Sequence, residues 1–378
     1  MWDRPANDPN RTGLAHLFEH LFFLDSENLG PGGLDRLMNR IGARALPQAS
    51  ATAGSTNEDR TNYFEVVPIE ALEKALWAEA DKLGFFINTV TEAVLEKEKQ
   101  VVKNEYRQRD FNAPYGHTDD VILRALFPDD HPYAWIASTS LAHVDATTLE
   151  HVRAFHECWY GPNNAELAVF GDIDVEQTKA WIERYFDEIP SRPIPDSVEP
   201  PVYRLEASRY LFHEDDFAQL PELTITWPGV PLFHPDSYAL GALAEVLGNG
   251  KATPLFAAIV ADSQLAPGVS MTTVRSELAG YMTLRIRAHA GTDLDDVLEA
   301  IEGAFDRFEA EGLSSADLAR IQAGNEGKFY SGISTVLGKA MQLTRYSLFG
   351  PETDYLNEDL RRTLSVSTRD VMRVYDTY

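Results

Sequence analysis

The chain has 378 residues, 44% of them hydrophobic, and a formal net charge of −26. That length exceeds one ordinary core and implies two domains, while the negative charge argues against nucleic acid or an anionic membrane as a partner. Cys158, the single cysteine, excludes an internal disulfide framework and a thiolate metal cluster, no apolar run reaches the length of a membrane span, and the polar start has no signal-peptide core.

Gly13–Leu24 is rich in Leu and Phe and lacks Pro, so it reads as a buried helix, with Thr12 as its expected cap. It contains His16, Glu19 and His20, an H-x-x-E-H pattern. At about 100° per residue the two imidazoles lie about 40° apart and Glu19 about 60° to the other side of His16, so all three share one arc. Two His at i and i+4 suit a tetrahedral metal. A carboxylate beside them suits a general base acting on water that the metal activates. Burying these groups among Leu and Phe without partners would be costly, and the spacing is the inverzincin signature. A surface helix with a chance match is the bland alternative, and the apolar neighbours argue against it.

Asp35–Ile41 reads as a short helix, Thr61–Val67 as a strand by its β-branched and aromatic content, and Ile69–Phe86 as a long helix. Thr91–Arg109 is an amphipathic helix with Glu98 and Glu105 on one face. Residues 117–160 read as mostly helical with a break at Asp129–Pro132, Ala165–Gly171 as a strand and Val175–Phe186 as a helix. The prolines of Ile189–Tyr203 make an extended connection. The domains expected are therefore 1–190, a linker at 191–204, and 205–378. In the last of these, Glu222–Trp227 and Gly280–Ala288 read as strands, and Pro235–Leu247, Thr292–Glu311 and Ser315–Tyr330 as helices.

The second half reads as a degenerate copy of the first. Ala242–Leu247 can be laid on His16–Leu21, which puts Ala242 and Val246 where the first half has histidines, and Lys328 falls opposite Glu105. The search for a third ligand leads to Glu105, which would complete a His₂Glu set with one open position. Glu98, two turns back, could orient a ligand. A solvated helix carboxylate is the ordinary alternative for either.

Arg11–Leu21, Thr61–Phe64, Glu98 with Glu105, Tyr160–Ala165 and the Val-Phe-Gly-Asp ending at Asp172 together resemble the pitrilysin (M16) family of zinc metallopeptidases, which includes insulin-degrading enzyme and the mitochondrial processing peptidase. The resemblance covers nearly the whole chain. It implies an α+β fold of two homologous domains, each a mostly antiparallel sheet with helices packed on one face (LuxS/MPP-like). It implies one zinc on His16, His20 and Glu105, Glu19 as general base and Glu98 in a supporting role. It also implies a substrate-pairing edge strand through Ala53, Gly54, Ser55 and Thr56, although relatives often carry Asn-Ala where Ala53-Gly54 stands here. An Arg/Tyr pair that contacts substrate in relatives maps roughly onto Arg275 and Tyr281, for which ordinary surface and core roles are the competing reading. Peptides or unfolded polypeptide are the implied substrates, and a second pitrilysin-like half, in a longer chain or as a homo- or heterodimer, is the implied partner. The chain resembles the zinc-bearing half of such a protein, clipped at both ends, with a bacterial periplasmic or secreted setting favoured. A non-catalytic scaffold or binding subunit is the alternative function.

Overall fold

In the computed structural model, which describes residues 12–44, 52–135, 140–194 and 205–378, the Leu- and Phe-rich segment behind Gly13 forms α1 (Leu14–Phe22). Gly13 caps it in the left-handed region at φ 87°, and no side chain caps it. The expected cap, Thr12, is committed elsewhere: its hydroxyl lies 3.0 Å from His143 Nδ1 and accepts a hydrogen bond from the Ser140 amide at 3.2 Å. Leu17, Phe18 and Leu21 are wholly buried.

After α1 come α2 (Gly33–Ile41), the strands β1 (Ala53–Thr56) and β2 (Thr61–Phe64), and α3 (Leu72–Phe85), which is bracketed by 3₁₀ turns. β1 and β2 form an antiparallel hairpin in which Thr56 faces Thr61 and Gly54 faces Tyr63. The strand expected to run to Val67 stops at Phe64, with a single further bridge from Val66 to Arg44. Asp81 of α3 holds the loop after α1, accepting from the Ser26 hydroxyl, the Asn28 side-chain amide at 2.6 Å and the Leu29 N–H at 3.0 Å.

α4 (Glu92–Tyr106) starts at the Thr91 cap, whose hydroxyl accepts from the Val94 N–H at 3.3 Å, and runs into a π-helical turn at Arg107–Phe111. Its Leu95, Val102 and Tyr106 share a core with the apolar face of α1. α5 (Thr118–Leu126), α6 (Leu141–Ala146), α7 (Leu149–Trp159) and α8 (Val175–Phe186) follow. Lys99 and Lys103 tie α4 to Asp145 of α6, the first through the Asp145 carbonyl at 3.1 Å and the second through its carboxylate. The expected strand at Ala165–Gly171 does not form: no described residue pairs with it, and Leu167 and Phe170 face solvent. Apolar alternation alone cannot make a strand without a partner for its backbone. Of the expected linker, residues 195–204 lie outside the described residues, as do Arg11 and the residues before it.

The chain divides into two compact units: Met1–Pro201 with Thr335–Thr344, and Val202–Ser334 with Arg345–Tyr378. In the second unit β3 (Glu222–Gly229), β4 (Ser270–Arg275) and β5 (Gly280–Arg287) form an antiparallel sheet in the order β3-β5-β4. Met282, Leu284 and Ile286 alternate along β5 into the core. α9 (Pro235–Gly248) packs against β4 and β5, followed by the single turn α10 (Pro254–Phe256) and a π-helical stretch at Ala257–Asp262. α11 (Leu294–Glu311) packs against β3, and α12 (Ser315–Gly332) packs against α9. α13 (Val336–Phe349), α14 (Leu356–Ser365) and α15 (Thr368–Thr377) complete the chain. The architecture is α+β with small antiparallel sheets.

His156, on α7 and 3% exposed, sits among Phe18, Phe86 and Tyr160. Arg192 Nη1 approaches its Nδ1 at 2.7 Å. A guanidinium only donates, so Nδ1 accepts and the ring is neutral. Burial, and then the Arg192 charge, push the imidazole down to about 4. Between its unfolded pKa of about 6.5 and pH 4 the unfolded chain therefore binds a proton that the folded chain rejects, so stability falls as pH is lowered through that window. Urea unfolding at pH 7.5 and 4.5 checks this: wild type should lose about 2–3 kcal/mol more than His156→Gln on going to the lower pH.

Candidate metal centre and active site

One turn of α1 separates His16 from His20, and their rings meet edge-on with centroids 4.8 Å apart. α4 lies across them. Glu105 Oε2 is 3.3 Å from His20 Nε2 and 3.6 Å from His16 Nε2. The ligand atoms of His16, His20 and Glu105 all fall within 4.8 Å of one another. A tetrahedral zinc with bonds of about 2.0–2.1 Å sets its ligand atoms about 3.3 Å apart, so the residues present fit a zinc ion. Burial pushes the His16 imidazole down to about 4 against the pull of Glu105, which leaves it neutral at pH 7 with a lone pair to offer. His16 Nδ1 is buried with no hydrogen-bond partner. His20 Nδ1 has the buried Glu98 Oε2 4.0 Å away, and Lys97 Nζ lies 3.6 Å from the other Glu98 oxygen.

Glu19 shares the arc with the histidines, but its carboxylate reaches β1 and lies outside the three-ligand group. Its Oε2 accepts a hydrogen bond from the Thr56 hydroxyl, which also lies 3.2 Å from the Thr61 hydroxyl. Burial raises the Glu19 pKa; the Thr56 hydrogen bond, and then His20, oppose that rise. Gly54 faces the same carboxylate: a Cβ there would stand 2.8 Å from Glu19 Oε1 and from the Phe23 ring.

The structure adds Arg109 to these residues. Its Nη1 donates to Glu105 Oε1 at 3.2 Å and its Nε to Asp110 at 3.0 Å. This leaves Glu105 Oε2 for the histidines. The i, i+4 acid–base spacing of Glu105 and Arg109 was the available signal. Of the residues expected to meet substrate, Ala53, Gly54, Ser55 and Thr56 lie beside α1, and Ser55 is exposed. Arg275 and Tyr281 lie in the second unit, at the end of β4 and the start of β5. Nearby in that unit the copy of the motif carries no ligands. Ala242 and Val246 are buried in its core, and Lys328 Nζ pairs with Glu245 Oε1 at 2.7 Å.

The family model described as "Insulinase (Peptidase family M16)" matches residues 6–129, and the one described as "Peptidase M16 inactive domain" matches residues 146–325. The chain is 24% identical over 374 residues to zinc protease PqqE of Helicobacter pylori, covering 97% of this chain and 81% of that protein. It is 24% identical over 334 residues to zinc protease YmxG of Bacillus subtilis, covering 88% of this chain and 77% of that one. The crystal structure of a protease from Helicobacter pylori superposes with a TM-score of 0.86 at 22% identity, covering 100% of this chain and 89% of that one. With two M16 models matched in order and the same fold throughout, the chain belongs to the M16 peptidase family.

Proposed function

We propose that this chain is a zinc-dependent endopeptidase acting on peptides or unfolded segments. The observation that carries the reading is the ligand spacing: Glu105 Oε2 stands at a tetrahedral edge length from both histidine nitrogens, and Glu19 stands outside that set. His16, His20 and Glu105 would hold the ion, with Arg109 holding Glu105 and Glu98 lying 4.0 Å behind His20. Zinc in such a site lowers the pKa of water toward ~7 and polarises a carbonyl. Glu19 takes the proton of the attacking water and delivers it to the leaving amine; burial, which raises its pKa, suits it to both halves of that task. Among the described residues β1 is paired on one side alone, by β2. An extended peptide adding to its other edge would be held through backbone hydrogen bonds with little sequence preference. A second pitrilysin-like half would close the chamber and supply further contacts, with Arg275 and Tyr281 as the candidates of this kind here.

The alternative, a zinc-binding scaffold subunit, makes a different forecast in the same assay. Turnover of an internally quenched peptide should fall by about 10²–10⁴-fold in Glu19→Gln, with one zinc per chain still bound. Undiminished turnover in that metal-loaded variant rules out Glu19 as the base, and a zinc-loaded wild type inert on all peptides, alone and with a partner half, favours the scaffold. Metal analysis after dialysis gives the second check. Wild type should hold one zinc per chain and His16→Ala close to none, because two remaining ligands cannot complete the site. Zinc retained at full stoichiometry would place the metal elsewhere.

A further inference from the structure

Glu19 sits on the same buried arc as two ligands and has three rotatable bonds, so its identity as a carboxylate does not by itself decide whether it acts as a base or becomes a ligand. Its surroundings bear on that choice. Gly54 and Thr56 alternate onto the same face of β1, and both meet the Glu19 carboxylate. Thr56 donates its hydroxyl hydrogen to Oε2, while the missing side chain at Gly54 leaves the room that Oε1 occupies. The Thr56 hydroxyl has one hydrogen. With that hydrogen given to Glu19, Thr61, directly across the hairpin, is the donor in the 3.2 Å contact between the two threonines. Tyr160, behind them, shares a 2.8 Å hydrogen bond with Tyr63, which lies opposite Gly54. The seat is thus backed by a part-buried polar network of Thr61 and Tyr63 on the facing strand, with Tyr160 beyond them.

We propose that Thr56 is a positioning residue. With Gly54 it forms a seat on β1 that holds the Glu19 carboxylate off the His16–His20–Glu105 set, so that Glu19 serves as base and not as a fourth ligand. The proposal rests on the peptidase reading above. It assigns the inward face of β1 to the catalytic carboxylate, so the same strand orients the base with its side chains and offers its free backbone edge to peptide. The Thr56 hydroxyl acts on the reaction through Glu19, to which it donates.

The test compares Thr56→Val, which keeps the shape and β preference but removes the hydroxyl, with Thr56→Ser, which keeps the hydroxyl. With an internally quenched peptide, Thr56→Val should lower kcat by about 10–100-fold, the range for loss of an orienting partner, with KM within about 3-fold of wild type. Thr56→Ser should recover most of kcat. A Thr56→Val kcat within about 2-fold of wild type overturns the proposal, and so does a Thr56→Ser chain as slow as Thr56→Val. A second readout does not need turnover. In the Co²⁺-loaded chain Thr56→Val should alter the visible absorption spectrum as Glu19 moves against the metal, and the same change made on a Glu19→Gln background should not. Identical spectra for wild type and Thr56→Val, in a chain that turns over no peptide, also overturn it. If Glu19→Gln keeps full activity, the peptidase assignment of the base fails; if Glu19→Gln is inert and Thr56→Val is normal, only the seat fails.

Discussion

The rest of the first unit depends on how α1 disposes of its buried polar groups. One face of the helix drives Leu17, Phe18, Leu21 and Phe22 into an aromatic core with Phe86, Phe155 and Tyr160. That packing leaves two imidazoles and a carboxylate where water is scarce, and such groups are costly to bury without partners. Their partners come from two neighbouring elements, α4 and β1. Glu105 of α4 serves both histidines, Glu98 stands behind His20, and Thr56 of β1 serves Glu19. His16 Nδ1 alone of these atoms is buried without a hydrogen-bond partner, and α4 and β1 are held where they meet the other groups. Lys99 and Lys103 fix the far side of α4 to Asp145, and the hairpin register sets Thr56 against Thr61.

The second unit answers the same problem with different chemistry. α9 occupies the place of α1 in the repeat, but Ala242 and Val246 are simply buried, and its remaining carboxylate, Glu245, is neutralised by Lys328. An apolar pair and a half-exposed salt bridge need no metal and no orienting network. Replacing buried ionic groups by packed apolar ones is commonly neutral or stabilising. The histidines of the first unit are therefore not what this scaffold needs in order to fold. With Glu105 they bring three donors around one point, and the inactive-domain model, matched at residues 146–325, includes none of the three.

Local rules made much of this legible. Helices α4, α9, α11 and α12 follow from apolar periodicity and their caps, α3 from periodicity alone, and β5 from alternation. The His16–His20 pair follows from the helical repeat, which brings i and i+4 together whatever surrounds them. The failures have one cause in common. Residues 165–170 have strand-like composition, but a strand exists only if another backbone meets it, and none of the described residues does. Thr12 has the chemistry of a cap, but His143 and Ser140 claim its hydroxyl from a distant helix. Arg109 pairs with Glu105 by ordinary i, i+4 spacing, but only the placement of Glu105 against the histidines gives that pair a role in the site.

The sequence by itself determined the helix that carries the motif, the shared arc of His16, Glu19 and His20, and the duplication that lost its ligands, because each depends on spacing along one chain. Choosing Glu105 among many carboxylates took the resemblance as well, since nothing local distinguishes it from Glu98. Only the tertiary structure decided that Glu105 lies a tetrahedral edge from both imidazoles, and that Glu19 turns to Thr56 and Gly54 instead of joining them. Those outcomes depend on how closely α4 and β1 approach α1, which packing of the whole unit sets to a few tenths of an ångström.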